Sequence, residues 1–383
     1  MNKFKCIILH NVISPYKTLL FNTLEQVMDG NFKVLYLAET EGIREWKVDK
    51  DELRFPFDVI FEGKIENINP VTIAIETYRR LNFYNPKVVI IVGYSYLACW
   101  AAFVWAKKNK RKVIAVIESH YLDRPRFRIK ESIKKLFVSN CDAALVDGTR
   151  HRDYVVSLGL KPEKIFIKKG SGPIDVSFYQ KEISRFKSNK IEICNRLDIP
   201  CKNFLYIGRF STEKNIILLL RAYKRLKDEG AVDWGLLLVG NGPQRKEIDD
   251  FISRNNIKGI LLPGFKQKEE IPLFYAISNI FILPSISEPW GLVAGEAMAC
   301  GLPVFISNRC GCYPDIVHDG INGFSFDPFK EEELLGLMKD VIQEKYNLEA
   351  MGRASLGIIK DYTPEKVTEV YKDSIHFVEG IND

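Results

Sequence analysis

Short apolar runs alternate with stretches of helical period along the whole chain. Phe4 to His10 is an almost wholly apolar run that ends in the polar loop NVISPY, and from Tyr16 to Val27 the residues Leu19, Leu20, Phe21 and Leu24 supply a helical core face. Further strands are predicted at Phe32 to Ala38, Val88 to Val92, Val113 to Ile117, Ala143 to Val146 and Ile165 to Ile167, with helices such as Tyr96 to Lys108 between them. From Tyr179 to Lys202 the chain turns polar and charged, which suits a linker. A second series then runs from the strand Asn203 to Ile207 through a helix at Ile216 to Leu226, a strand at Trp234 to Val239, a helix at Pro243 to Arg254 and a strand at Ile260 to Leu262. It continues with a short helix at Ile271 to Ala276, strands at Ile280 to Leu283 and from Val304, and closing helices at Glu331 to Glu344 and Pro364 to Val378. Alternation of this kind predicts α/β architecture, each half a parallel sheet covered on both faces. No short-period repeat is present.

Composition adjusts this picture only slightly. A chain of 383 residues, 46% hydrophobic and 27% charged, has an ordinary globular balance, and roughly 100 to 200 residues per domain gives two domains, placed at 1–180 and 181–360. No apolar run reaches the roughly 18 to 20 residues that span a bilayer, and the first residues lack signal-peptide features, so a cytoplasmic location is expected. The eight cysteines show no CxxC and no nearby histidine pair, which argues against a disulfide framework or a metal site.

Charge is unevenly divided. Residues 1–185 carry 31 basic against 21 acidic side chains (+10), and 186–383 carry 24 against 28 (−4), which together give the +6 of the chain. The basic half contains KKNKRK at Lys107 to Lys112 and RPRFRIKESIKK at Arg124 to Lys135, where Phe127, Ile129, Ile133, Leu136 and Phe137 fall partly on one face. A solvated surface and a basic amphipathic element apposed to an anionic membrane both fit, the latter at roughly 1 kcal/mol per well-placed base. No nucleic-acid module is recognisable, and no nucleic acid partner is expected.

The densest chemistry lies in Ser285 to Val304, SISEPWGLVAGEAMACGLPV, where a buried strand leads into a polar loop, then a helix from about Leu292, then the next strand. Such a loop at the carboxyl end of a parallel strand is where open α/β sheets bind ligands. Unpaired amides at the helix start suit phosphate or sugar oxygens. Glu288 precedes the helix and Glu296 lies about a turn inside it, so the two carboxylates can line one pocket, with Gly291 allowing close backbone approach. Taken alone, the glutamates also fit a helix cap plus a solvated face.

The string resembles the E-x7-E signature of the retaining glycosyltransferases of family 4, with Glu288 and Glu296 in the glutamate positions and EAMACGLPV as the continuation. GRFSTEKN, from Gly208 to Asn215, is similar to the family's G-R-x3-E-K element. The resemblance implies the GT-B fold: two Rossmann-like domains facing each other across a cleft, with a C-terminal helix at 361–383 crossing back to the first. It implies a donor that is a nucleoside-diphosphate sugar, UDP- or GDP-linked, with no cofactor. Arg209 and Lys214 would grip the diphosphate, whose charge grows as the glycosidic bond breaks. Glu288 would lie near the transferred sugar and Glu296 would accept from ribose hydroxyls. The amides of Trp290, Gly291 and Leu292 would meet sugar or phosphate, while the Trp290 side chain either shapes the sugar pocket or simply packs. Gly240 in GNGP, with Phe265 and Lys266, would border the base. In the first domain His120 of IESHY would face the sugar and acceptor. The family's glycine pair after the first strand is missing, which leaves Asn11, Ser14, Tyr16 and Lys17 as candidates for acceptor or phosphate contact.

The reaction implied is metal-independent transfer, with retained configuration, to a lipid-linked saccharide or other polysaccharide precursor, by an enzyme peripheral on the inner face of the cell membrane. Paired glutamates also invite hydrolysis, but that leaves Arg209 and Lys214 without a role. A nucleotide-sugar epimerase and a non-catalytic scaffold on the same fold are the alternatives.

Overall fold

The computed structural model describes residues 4–42, 49–230 and 233–380. It separates into two compact units, the first formed by residues 1–121, 125–173 and 364–383, the second by 122–124 and 174–363. The division falls at Pro173/Ile174, ahead of the expected 180/181, because Ile174 and Tyr179 are buried in the second core.

The first unit runs β1 (Cys6–His10), α1 (Pro15–Met28), β2 (Phe32–Thr40), β3 (Phe57–Lys64), α2 (Pro70–Tyr84), β4 (Val88–Val92), α3 (Leu97–Lys108), β5 (Lys112–Ile117), α4 (Arg128–Val138), β6 (Ala143–Val146), α5 (Thr149–Ser157) and β7 (Ile165–Ile167). Its seven strands are all parallel, in the order β3-β2-β1-β4-β5-β6-β7. The central strands are apolar on both faces because helices cover both, which is why they read as unbroken apolar runs. The pair β3 and α2 has no counterpart in the sequence reading. The strand β3 is an edge strand that is mostly half-exposed, and α2 is announced only by Pro70 at its first turn and by Asn69, whose side chain accepts from the Val71 amide at 2.9 Å.

The second unit runs α6 (Val176–Lys187), α7 (Lys190–Arg196), β8 (Lys202–Ile207), α8 (Ile216–Asp228), β9 (Trp234–Val239), α9 (Arg245–Arg254), β10 (Ile260–Gly264), α10 (Ile271–Ala276), β11 (Ile280–Leu283), α11 (Leu292–Ala299), β12 (Val304–Ser307), β13 (Gly323–Phe326), α12 (Glu331–Ile342) and α13 (Leu348–Ile359). Its parallel sheet has the order β10-β9-β8-β11-β12-β13. The stretch expected as a linker is instead α6 and α7. Asp175 caps α6 by accepting from the Phe178 amide at 2.9 Å, and Tyr179, Ile183, Ile193 and Cys194 are buried. Four buried side chains among many charged ones leave too sparse a stripe to read as a period.

The last helix, α14 (Pro364–Glu379), belongs to the first unit. It packs on α1 and over β5 to β7, and buries Val367, Tyr371, Ile375 and Val378 among Ile8, Phe21, Ile90 and Leu145. Lys5 pairs with Glu379 at 2.7 Å near its end. Ile375→Ala should cost the first unit about 2 to 5 kcal/mol, the range for emptying such a buried site, and lower its urea midpoint.

Candidate active site

In the second sheet the strand order reverses between β8 and β11, since β9 and β10 lie to one side and β12 and β13 to the other. Loops leaving the carboxyl ends of these two strands diverge, and the crevice between them is the usual ligand site of an open α/β sheet. The two sequence elements singled out above are these loops. GRFSTEKN follows β8, and SISEPWG follows β11 and leads into α11.

Hydrogen bonds lock the loops together. The Glu213 carbonyl accepts from the Ile286 amide at 2.8 Å and the Ser287 amide at 3.4 Å, and Arg309 Nε donates to the Ile286 carbonyl at 2.6 Å. Behind them, the Gly311 amide donates to the Glu288 carbonyl at 2.9 Å and the Cys312 amide to the Trp290 carbonyl at 3.1 Å, so the buried Cys310–Cys312 turn braces the glutamate loop. Arg309 Nη2 also holds the Leu122 carbonyl at 2.9 Å, one reason that 122–124 counts with the second unit.

Lys214 Nζ makes a short ion pair with the Glu288 carboxylate, which also accepts from Ser285 Oγ at 3.3 Å. Their side chains are 18% and 10% exposed, so this is a part-buried pair at the mouth of the crevice. Arg209 is more open, at 44%, and its Nη2 donates to Glu213 Oε1 at 2.9 Å. Burial alone would raise the Glu213 carboxyl, but the Ser211 hydroxyl, its own amide and the Arg209 guanidinium hold it below the usual range. Two cations of the loop after β8 are thus each matched by a carboxylate, Arg209 by Glu213 and Lys214 by Glu288.

Gly291 sits at φ +105 immediately before α11, and a Cβ there would come within 3.1 Å of Leu283 Cδ2. No side chain caps α11, and of its first-turn amides that of Ala294 donates to the Gly291 carbonyl at 2.9 Å. Glu296, one turn in, is 1% exposed and accepts from the Tyr275 hydroxyl at 3.1 Å, a partner from α10 that sequence reasoning did not find. The Trp290 side chain is 3% exposed and packs with its ring 6.3 Å from Tyr362.

Gly240 follows β9, and a Cβ on it would lie 1.9 Å from the Gly208 carbonyl oxygen, so this glycine exists to let two loop backbones touch. Phe210 in the same knot is fully buried and its amide donates to the Asn241 carbonyl at 2.7 Å. Phe265, after β10, is 40% exposed, and the neighbouring Lys266 reaches Glu270 at 3.2 Å.

Of the first-unit candidates, Ser14, Lys17 and His120 are buried. His120 is fully buried, its ring 5.1 Å from that of His151. Lys17 is buried and paired. Its Nζ donates to Glu118 at 2.7 Å and to the Ser171 carbonyl at 2.5 Å. Ser14 ends the loop before α1, its carbonyl taking the Thr18 amide at 2.9 Å, while Asn11 and Tyr16 are half-buried.

Lys17 belongs to a part-buried ionic cluster that sequence reasoning missed, in which the Glu118 side chain keeps 32% exposure. Lys168, 1% exposed, pairs closely with Asp147, donates to the Gly170 carbonyl at 2.7 Å and lies 3.5 Å from Glu118. Glu118, Asp147 and Lys168 each follow the last residue of β5, β6 and β7, and a charge at the end of three successive apolar runs was the available signal. Burial would raise Glu118, but Lys17 and Lys168 hold it below the usual range, whereas burial dominates at Asp147 and lifts it to about 6. Burial, with Lys17 beside it, pushes His10 down to about 3.

Among known proteins, the crystal structure of Anabaena Alr3699/HepE in complex with UDP superposes with a TM-score of 0.76 at 15% identity, covering 97% of this chain and 99% of that one. Two Rossmann-like units with parallel sheets make this a GT-B fold. Residues 196–356, most of the second unit and all of the crevice described above, match the family model for glycosyl transferases group 1. The chain is 31% identical over 173 residues to an uncharacterized glycosyltransferase of Methanocaldococcus jannaschii (44% of this chain, 47% of that protein). It is 27% identical over 271 residues to the alpha-monoglucosyldiacylglycerol synthase of Acholeplasma laidlawii (65% and 64%). The chain thus spans less than two thirds of the length of either relative.

Lys168→Met should cost about 3 to 5 kcal/mol, because it leaves buried carboxylates short of a cation. Asp147 is already raised above its unfolded value, and without Lys168 it rises further. Its charged form then destabilises the fold as pH climbs through the folded value, so lowering the pH from about 7 to 5 should restore part of the variant's melting temperature. A variant as stable as wild type at neutral pH would show the cluster to be solvated.

Proposed function

We propose that this protein is a retaining, metal-independent glycosyltransferase that moves a sugar from a UDP- or GDP-linked donor to a lipid-linked saccharide or other polysaccharide precursor. The observation that carries the reading is the convergence of Arg209, Lys214, Glu288 and the start of α11 at the strand-order reversal of the second sheet. Arg209 and Lys214 take the diphosphate, with Lys214 exchanging its Glu288 partner for phosphate oxygens. Glu288, released from that pair, accepts from hydroxyls of the sugar. The Gly291 and Leu292 amides meet the distal phosphate or the sugar. Glu296 and Tyr275 hold the ribose, and the backbone near Gly240, Phe265 and Lys266 reads the base.

In the chemical step the bond between C1 and the β-phosphate oxygen breaks, and C1 bonds to the acceptor oxygen on the same face. The departing phosphate oxygen takes the acceptor's proton. Positive charge from Arg209 and Lys214, placed before the reaction, stabilises the leaving group in the way an ion otherwise could. The UDP bound in the Anabaena structure supports a nucleotide donor, and relatives named as an alpha-monoglucosyldiacylglycerol synthase and an O-antigen chain mannosyltransferase support a lipid or envelope-glycan acceptor.

A thermal-shift panel of UDP, GDP, dTDP and ADP with their sugar conjugates should raise the melting point with one base only, and Glu296→Ala should abolish the shift. No shift with any nucleotide would turn the reading toward a non-catalytic scaffold. Given the donor so identified, Lys214→Ala should lower kcat by about 100-fold or more, the scale for losing one transition-state charge contact, while EDTA leaves the wild-type rate within about twofold. Release of free sugar without an acceptor at the transfer rate would instead indicate hydrolysis or epimerisation.

A further inference from the structure

Tyr206 is the last residue but one of β8 and is fully buried at the base of the loop that carries Arg209 and Lys214. A strand covered on both faces is an apolar run, and a tyrosine within it has to find a partner for its hydroxyl. Here the partner is the loop itself. Tyr206 Oη donates to the Arg209 carbonyl at 3.0 Å, three residues further along the chain. The hydroxyl fills the inside of that turn: a Cβ on Gly208 would come within 2.8 Å of it, so the residue between the two has to be small. The Tyr206 ring lies 6.2 Å from that of the buried Phe210, whose amide is tied to the Asn241 carbonyl at 2.7 Å.

This bond fixes the backbone from which the Arg209 side chain starts. The Arg209 carbonyl also accepts from the Ser211 amide at 3.1 Å, and at the far end of the side chain Nη2 donates to Glu213 at 2.9 Å. The two ends respond differently to an anion. The partners of the Arg209–Glu213 pair are 44% and 38% exposed, and a phosphate competes readily for such a guanidinium, whereas the tyrosine hydroxyl is sealed in the core and keeps its bond. Burial raises the Tyr206 hydroxyl well above its ordinary value, and the Glu288 and Glu213 carboxylates add to the rise, so it stays protonated and remains a donor near neutral pH. Arginine has many rotamers, and a fixed starting point shortens the list of places where its guanidinium can stand.

We infer that the Tyr206 hydroxyl is a positioning group for Arg209: it holds the turn so that the guanidinium meets the donor diphosphate, and it does not touch the donor itself. The inference rests on the donor reading proposed above and adds to it a residue buried in β8. It separates cleanly from a role in folding. Tyr206→Phe keeps the ring and its packing, and the Arg209 carbonyl keeps the Ser211 amide, so no buried acceptor is left without a donor. Lys214 is held by Glu288 instead.

The test is calorimetric titration of the full chain with UDP and with uridine, or with GDP and guanosine where the melting panel selects guanine. Tyr206→Phe should weaken binding of the diphosphate by about threefold to tenfold, the range for one net hydrogen bond, and leave binding of the nucleoside within about twofold. The melting temperature without ligand should stay within about 3 °C of wild type. Arg209→Ala should weaken diphosphate binding further than Tyr206→Phe does, and in that background Tyr206→Phe should add nothing, because the hydroxyl then has no guanidinium to place. Diphosphate binding by Tyr206→Phe that matches wild type would overturn the inference. So would an equal loss on the nucleoside, or a loss that persists in the Arg209→Ala background. If Arg209→Ala binds the diphosphate like wild type, the positioning role falls and the donor reading stands on Lys214 and Glu288. A wild type that binds neither ligand removes the donor reading and the inference with it.

Discussion

The ion pair between Lys214 and Glu288 joins two loops that leave neighbouring strands in diverging directions. A lysine and a carboxylate this enclosed are costly apart and tolerable together, so without ligand each satisfies the other. That pairing also fixes where a ligand must act. In the proposed reading a sugar diphosphate replaces both partners, giving Lys214 a negative charge and Glu288 a donor from adjacent groups. The backbone bonds from Ile286 and Ser287 to Glu213 keep the two loops at the spacing at which this exchange is possible.

The packing behind the loops follows from that requirement. Gly291 and Gly240 lack side chains where a Cβ would collide with Leu283 or with the Gly208 carbonyl, and Trp290 and Phe210 are turned inward to fill the space beneath. The crevice is therefore lined largely by backbone and charge on a rigid apolar base. Such a surface is already organised before a ligand arrives, and less ordering entropy is lost when one does.

The first unit uses charge differently. Its cluster of Lys17, Glu118, Asp147 and Lys168 lies at the same end of its sheet as the crevice does in the second, yet the groups are spent on one another. Opposite signs in close contact make the cluster an internal support for α1 and the loop after β7. The unit's uncompensated charge lies instead on the outer helices, where α4 presents bases beside an apolar stripe.

Most of the strands, the restart of the βα series and the two loops that carry Arg209, Lys214, Glu288 and Gly291 were legible in the sequence. Parallel strands covered on both faces are continuous apolar runs, and ligand-binding loops carry charge and glycine at fixed distances after them. The edge strand β3 and the helices α6 and α7 were not legible, because half-exposed elements dilute their own period with polar residues. Which charged groups are committed to one another was also hidden. Lys17 and Glu118 are 101 residues apart, and Lys214 and Glu288 are 74 apart, so nothing local distinguishes a lysine held in a part-buried network from one waiting at a binding crevice. Sequence determined the alternation and the kinds of chemistry at the strand ends. Only the strand order, which brings the ends of β8 and β11 side by side, decided which of those loops meet.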